Sequence, residues 1–171
     1  MITTRIERPE DIPYICIINE HAFEQATEAN IVDKLRKSCP DCLSLVAEDG
    51  NDLVGHILFS PVVIEDTGRR VEGMGLAPVA VLPIRQRRRI GSALVRRGLD
   101  ILRERRCPFI IVLGHPDFYP RFGFEIASKY SLSSQWEGVP DEAFIVLILD
   151  DHTMKGVSGI ARYRDEFNDA M

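Results

Sequence analysis

Hydrophobic residues recur along this chain with two different periods, and each change of period marks the start of a new element. Apolar positions spaced three and four residues apart predict three helices with one buried face, over 9–23, 27–38 and 90–105. Apolar and β-branched runs bounded by turn residues predict six strands, over 2–7, 43–48, 53–64, 70–82, 109–113 and 145–149. The pattern therefore predicts an α/β protein.

The connections between these segments predict how the strands pair. Residues 49–52 and 66–68 carry the Asp, Asn and Gly of tight turns, so strands two, three and four form an antiparallel meander. The helix at 90–105 separates strand four from strand five, which makes those two strands a parallel pair joined by a crossover.

Two segments depart from regular patterns. Gly73, Gly75 and Pro78 are unusual in a central strand; the glycines predict a bulge, and Pro78 removes a hydrogen-bond donor from one edge of the strand. The tail after Asp151 has no clear period, and we expect it to be irregular and to pack back over the sheet.

The stretch from Val79 to Leu94 predicts an anion site. It begins as an apolar strand, stops at Pro83 and leads through a short loop into the helix at Ile90. The start of a helix attracts phosphate, because backbone N–H groups and the helix dipole both face an anion there. The loop and the first turn add charge and room for close backbone approach through Arg85, Arg87, Arg88, Arg89, Gly91 and Ser92.

The helix that follows has an apolar face that is expected to lie on the sheet. Its members are Ile90, Leu94, Val95, Gly98, Leu99, Ile101 and Leu102. Glycine costs a helix about 1 kcal/mol relative to alanine, so Gly98 predicts a close approach to the sheet.

Charge and composition narrow the class of ligand. Nine arginines lie between Arg85 and Arg106, which is also a pattern of nucleic-acid binding, yet the formal net charge of the 171 residues is −5. One basic site on an acidic body fits a small polyanion better. The sequence has no apolar run of membrane length and no signal-peptide core near its start, so we expect a cytoplasmic protein that binds neither membrane nor nucleic acid.

Four cysteines are scattered along the chain, and only Cys39 and Cys42 have the spacing of a metal or redox pair. The pair closes a helix instead of opening one, and no second pair lies near it. Structural thiols are the favoured interpretation, with a disulfide or redox role and a zinc site as the alternatives.

The loop motif resembles the acetyl-CoA loop of the GCN5-related N-acetyltransferases (GNAT), whose pattern is Gln/Arg-x-x-Gly-x-Gly/Ala. Gln86 matches its first position and Gly91 its last, whereas Arg89 stands where the family has glycine. Arg89 either takes a positive φ at a cost in strain or adopts an ordinary φ and adds a phosphate ligand, and the ordinary φ is the favoured interpretation. The segment around Tyr119 resembles a second family signature and is similar to an uncharacterised bacterial branch, the YhbS-type acetyltransferases. The resemblance covers nearly the whole chain.

This resemblance implies a GNAT fold over residues 1–171 as a single domain: a mixed, mostly antiparallel sheet, splayed between strands four and five and flanked by helices. It implies acetyl-CoA as cosubstrate and no metal. The cofactor-binding residues would be Val79, Ala80, Val81, Gln86, Arg87, Arg88, Arg89, Gly91 and Ser92. The acceptor pocket would include His21, Phe23 and Glu24, for each of which a capping or packing role is the alternative.

Transfer to an amine needs a proton for the departing thiolate and a base for the amine. By its place in the signature Tyr119 is the candidate acid, with a core tyrosine as the alternative. His115 is the candidate base, in competition with Glu72, Asp117 and water.

The sequence thus predicts an acetyl-CoA-dependent N-acetyltransferase that acts on a primary amine of a small molecule or peptide, with a homodimer as a further expectation. A non-catalytic acyl-CoA-binding domain is one alternative, because Arg89 breaks the loop pattern. A nucleic-acid-binding module is the other, weakened because no aromatic residues interleave with the arginines.

Overall fold

The structure is a computed structural model that describes all 171 residues, and it confirms every predicted helix and strand. The helices are α1 (Ile12–Phe23), α2 (Thr27–Ser38), α3 (Ile90–Glu104) and α4 (Asp151–Met154). The strands are β1 (Ile2–Ile6), β2 (Leu43–Asp49), β3 (Asp52–Asp66), β4 (Arg69–Val81), β5 (Phe109–Leu113), β6 (Glu125–Ile126), β7 (Leu132–Ser134), β8 (Phe144–Ile148) and β9 (Gly159–Arg162).

The strands form one mixed sheet with the order β1-β2-β3-β4-β5-β8-β6. β1 and β2, β2 and β3, β5 and β8, and β6 and β8 are antiparallel, whereas β4 and β5 are parallel, as the crossover through α3 requires. The β4–β5 ladder joins Met74 to Ile110 and Gly75 to Ile111. This short ladder between two longer strands is the splayed junction that the fold class predicts.

The chain divides into two compact units. The first contains residues 1–60, 77–101 and 166–171, and the second contains residues 61–76 and 102–165. The first therefore holds α1, α2, β1, β2 and most of α3, whereas the second holds β5 and the later strands.

In the first unit, successive side chains of β3 point to opposite faces of the sheet, with α3 on one face and α1 on the other. Gly55 and Phe59 face α3, since a Cβ at Gly55 would stand 3.0 Å from Ile90 Cγ2 and one at Gly98 would stand 2.3 Å from Phe59 Cε2. His56, on the opposite face, lies 3.1 Å from the side-chain nitrogen of Asn19 on α1. The predicted apolar face of α3 is buried, which confirms its orientation on the sheet.

In the second unit, β5 pairs with β4 on one edge and β8 on the other, and its first four residues are buried, as expected for a strand that is covered on both faces. The β4 glycines make room for aromatic rings. A Cβ at Gly73 would lie 2.6 Å from the Phe109 ring, and one at Gly75 would lie 2.7 Å from Tyr163 Cε2.

The prediction of an irregular tail is wrong. Residues after Asp150 form α4 and then β9, whose Arg162 pairs with Val63 on the edge of β3. β9 also runs parallel to β7. Strands this short carry too few alternations to show a period, and their pairing depends on backbone hydrogen bonds to a distant edge.

Candidate functional site

The loop after β4 is fixed to the strand that it leaves. The amide of Leu82 donates to the Val54 carbonyl at 3.0 Å, and a 3-10 turn spans Pro83–Arg85. The Gln86 side chain then turns back and donates from Nε2 to the Val81 carbonyl at 3.1 Å. Gln86, the first residue of the loop motif, therefore ties the loop to the end of β4.

The expectation of an ordinary φ at Arg89 is wrong. Arg87 and Arg89 both have φ +64°, whereas Arg88 between them does not lie in the left-handed region. Each left-handed non-glycine residue costs roughly 1–2 kcal/mol, so the fold imposes this loop shape against the preference of arginine. In anion-binding nests, left-handed residues alternate with right-handed ones so that successive N–H groups point into one concavity, and Arg87 and Arg89 have the left-handed φ that such a nest requires.

Three of the loop arginines carry charge that nothing in the protein neutralises. Arg87, Arg88 and Arg89 are exposed and form no ion pair. They lie within the four residues before Gly91, at the start of α3, whose 15 residues give it a full helix dipole. The charges, the dipole and the loop amides all favour an anion in the same place.

Arg85 differs from these three residues because its guanidinium binds the carboxylate of Asp49, at the end of β2. The Met1 amino group, 3.4 Å from Asp49 Oδ1, and Arg85 together hold the pKa of that carboxyl below its usual value. Asp49 was missed by the sequence analysis, where it counted only as a turn residue, because no local pattern links it to a residue 36 positions away.

The start of α3 is seated on the sheet by a close contact. A Cβ at Gly55 would stand 3.1 Å from Leu94 Cδ1 and 3.3 Å from the Ala80 carbonyl. Ala80 is buried, whereas Val79 and Val81 on either side of it are half-buried. Gly91 and Ser92 are half-buried in the first turn of α3.

The three predicted acceptor residues lie at the end of α1. His21 is exposed, Phe23 is half-buried, and Glu24 ends the helix with φ +55°. They belong to one turn of chain that leads into α2.

The predicted acid and base belong to the second unit. Tyr119 begins a 3-10 turn over Tyr119–Phe122 and is 7% exposed. Its ring packs 4.9 Å from that of Phe118 and 5.6 Å from that of Phe124, and a Cβ at Gly114 would come within 2.5 Å of it. Burial raises the pKa of Tyr119 to about 12, so the phenol keeps its proton at neutral pH.

The other candidates are in solvent. His115 is exposed, with Nδ1 3.9 Å from a carboxylate oxygen of the exposed Asp117. Glu72 on β4 is exposed as well. No group of three or more His, Cys, Asp or Glu side chains is arranged to hold a metal ion, and no helix is long and apolar enough to cross a membrane.

Comparison with known proteins gives consistent matches over most of the chain. A family model described as an acetyltransferase (GNAT) domain matches residues 3–127. The uncharacterized N-acetyltransferase YhbS of Escherichia coli K12 is 36% identical over 165 residues, which cover 96% of this chain and 97% of that protein.

Two solved structures share the whole architecture. The GNAT family N-acetyltransferase YhbS from Escherichia coli, crystallised in complex with CoA, superposes with a TM-score of 0.90 at 36% identity and covers 98% of this chain and 92% of that one. A GNAT family acetyltransferase from Brucella melitensis in complex with acetyl-CoA gives 0.78 at 34% identity, with 98% of both chains covered.

Proposed function

The chain belongs to the GNAT acetyltransferase family, and we propose that it transfers the acetyl group of acetyl-CoA to a primary amine of a small molecule or peptide. The observation that carries the proposal is the loop before α3. There three unpaired arginines and two left-handed residues favour an anion where a helix begins. CoA has a diphosphate and a further phosphate, which suit a site of this charge.

The residues present fit this cosubstrate. Backbone groups at Val79, Ala80 and Val81 would hold the pantetheine arm as an added strand. The phosphates would bind the loop and the first turn of α3 through Gln86, Arg87, Arg88, Arg89, Gly91 and Ser92. The CoA and acetyl-CoA complexes of the two relatives support this assignment.

When bound, acetyl-CoA supplies an activated acetyl thioester. Tyr119 would donate its phenolic proton to the leaving sulfur, a role that its high pKa suits because the phenol is protonated before the reaction. His115 would accept the proton that the amine loses, and its exposure lets it return that proton to solvent. Backbone N–H groups at the end of β4 would polarise the acetyl carbonyl.

The acceptor would lie beside His21, Phe23 and Glu24. We further propose that residues 1–171 work as one GNAT domain, since the family model spans residues 3–127 and so includes parts of both compact units. The proposed place of action is the cytoplasm.

The proposal is tested by incubating the protein with isotope-labelled acetyl-CoA and extracts of metabolites and peptides, followed by mass spectrometry. The expected products are labelled amides and an equal amount of free CoA. Labelled esters without amides, or CoA release that water alone explains, would contradict transfer to an amine. A sample without protein corrects for spontaneous acetylation.

A further inference from the structure

We propose that Cys39 and Cys42 form a reversible disulfide when the protein meets a peroxide, so that the turn between α2 and β2 is a thiol modification site. The two residues are the first and last of a turn over Pro40 and Asp41. Such a turn brings its end Cα atoms within about 7 Å of each other, and a disulfide needs about 4.4–6.8 Å. The Cα spacing of such a turn is therefore compatible with a disulfide.

Both cysteines line one small cavity. It has a volume of about 180 Å³, and both cysteines line it together with Glu7, Arg36 and Ser44. Cys39 is 4% exposed and Cys42 is half-buried, and neither is in a disulfide. Cys42 is thus the more accessible thiol and would react with the oxidant, whereas Cys39 is sheltered and would then attack the oxidised sulfur.

A hydrogen-bond network keeps a donor available at this cavity. Asn19 Nδ2 donates to the Ile15 carbonyl at 2.9 Å and to His56 Nδ1 at 3.1 Å, so the proton of the neutral imidazole is on Nε2. His56 Nε2 lies 2.9 Å from Ser44 Oγ and donates to it. The Ser44 hydroxyl therefore keeps its own proton for another acceptor at the cavity wall. Arg36 on the same wall is ion-paired with Asp33 and with Glu7, which also lines the cavity.

The other two cysteines lack these features. Cys107 is buried, donates from Sγ to the Phe109 carbonyl at 3.2 Å and has its pKa raised to about 11 by burial. Cys16 donates to the carboxylate of Glu20 at 3.5 Å, and burial together with that carboxylate raises its pKa. Both are held as thiols, which are poor nucleophiles.

The chemistry has two steps. The Cys42 thiolate attacks a peroxide ROOH to give a sulfenic acid, with RO⁻ leaving and taking up a proton. The Cys39 thiol then displaces the hydroxyl as water and forms the S–S bond. Overall, two thiols and ROOH give one disulfide, ROH and H₂O. A dithiol reductant reverses the oxidation.

The test treats the folded protein with hydrogen peroxide, blocks remaining thiols under denaturing conditions and measures intact mass and peptides. Apart from the added blocking groups, the expected product is two hydrogen masses lighter than the untreated protein, with Cys16 and Cys107 blocked and the other two cysteines joined in one peptide. When dithiothreitol is added before the blocking step, all four thiols should be blocked. Cys42→Ser should prevent the mass loss, whereas Cys16→Ser, the matched control, should leave it intact. Stable over-oxidation of Cys42 with Cys39 still free, a bond between two chains, or no reaction would each overturn the proposal.

Discussion

Gly98 of α3 lies against the ring of Phe59 on β3 so closely that a Cβ there would stand 2.3 Å from Cε2 and 2.4 Å from Cζ. Phe59 is fully buried in the core. This contact sets the distance between α3 and the sheet. The helix that follows the arginine-rich loop therefore depends on a residue without a side chain.

We expect Gly98→Ala to lower the free energy of unfolding by about 2 kcal/mol. Overpacking a core costs about 1–3 kcal/mol, and we expect the upper end of that range here. The higher helix propensity of alanine offsets about 1 kcal/mol of this cost. Denaturant unfolding measures the change. Arg97→Ala, at the exposed neighbouring position, is the control and should shift stability by no more than about 0.5 kcal/mol. An unchanged or higher stability of Gly98→Ala would contradict the close contact.

Two substitutions at Arg89 should separate backbone strain from charge. Arg89→Gly and Arg89→Ala both remove a proposed phosphate ligand, and we expect each to weaken CoA binding about tenfold, which corresponds to roughly 1.4 kcal/mol. Only glycine relieves the left-handed φ of +64°, so the Gly variant should melt above the Ala variant. Calorimetric titration and melting curves measure the two effects. Equal melting temperatures would show that the loop carries no strain at this position.

We expect Tyr119→Phe to lower kcat roughly a hundredfold to ten-thousandfold, because a positioned proton donor accelerates a reaction by about that factor. The KM for acetyl-CoA and the melting temperature should change little, since the ring packing against Phe118 and Phe124 remains. Tyr130→Phe is the control, because it removes a surface hydroxyl that donates to Glu125 at 3.0 Å. Full activity of Tyr119→Phe would leave water as the proton source.

His56 should make the free energy of unfolding depend on pH. Burial lowers its pKa to about 3, whereas in the unfolded chain it titrates near 6.5. Between these values the unfolded state binds a proton that the folded state does not, so stability falls as pH drops through that window. The contribution of His56 approaches about 1.4 kcal/mol per pH unit. Denaturant unfolding at several pH values should show this slope in the wild type and a shallower one in His56→Gln, which lacks the buried imidazole. Equal slopes would contradict a buried neutral imidazole.

The sequence predicted the fold well where the signals are local. The strict apolar stripe of α3 and the turn residues before β3 and β4 fixed those elements to within a residue or two. β5 is a buried apolar run between a helix end and a Gly-His-Pro turn, and its bounds were predicted without error. Each of these elements is determined by residues within a few positions of it.

What the sequence did not reveal depends on distant contacts. The left-handed φ of Arg89 is imposed by the loop around it, and arginine itself favours the opposite sign. The Arg85–Asp49 ion pair and the His56 hydrogen bonds to Asn19 and Ser44 join residues from different elements. The pairing of β9 with β3 likewise needs an edge that only the folded sheet provides.

The central claim is that the loop before α3 binds CoA through its phosphates, and a melting curve with ligand tests it most directly. At a hundredfold excess over its dissociation constant, CoA should raise the free energy of unfolding by about 2.7 kcal/mol. Pantetheine, which lacks the phosphates, should give a much smaller shift, and a triple variant with alanine at Arg87, Arg88 and Arg89 should lose most of the CoA shift. The absence of any shift at millimolar CoA, or equal shifts with CoA and pantetheine, would contradict the account.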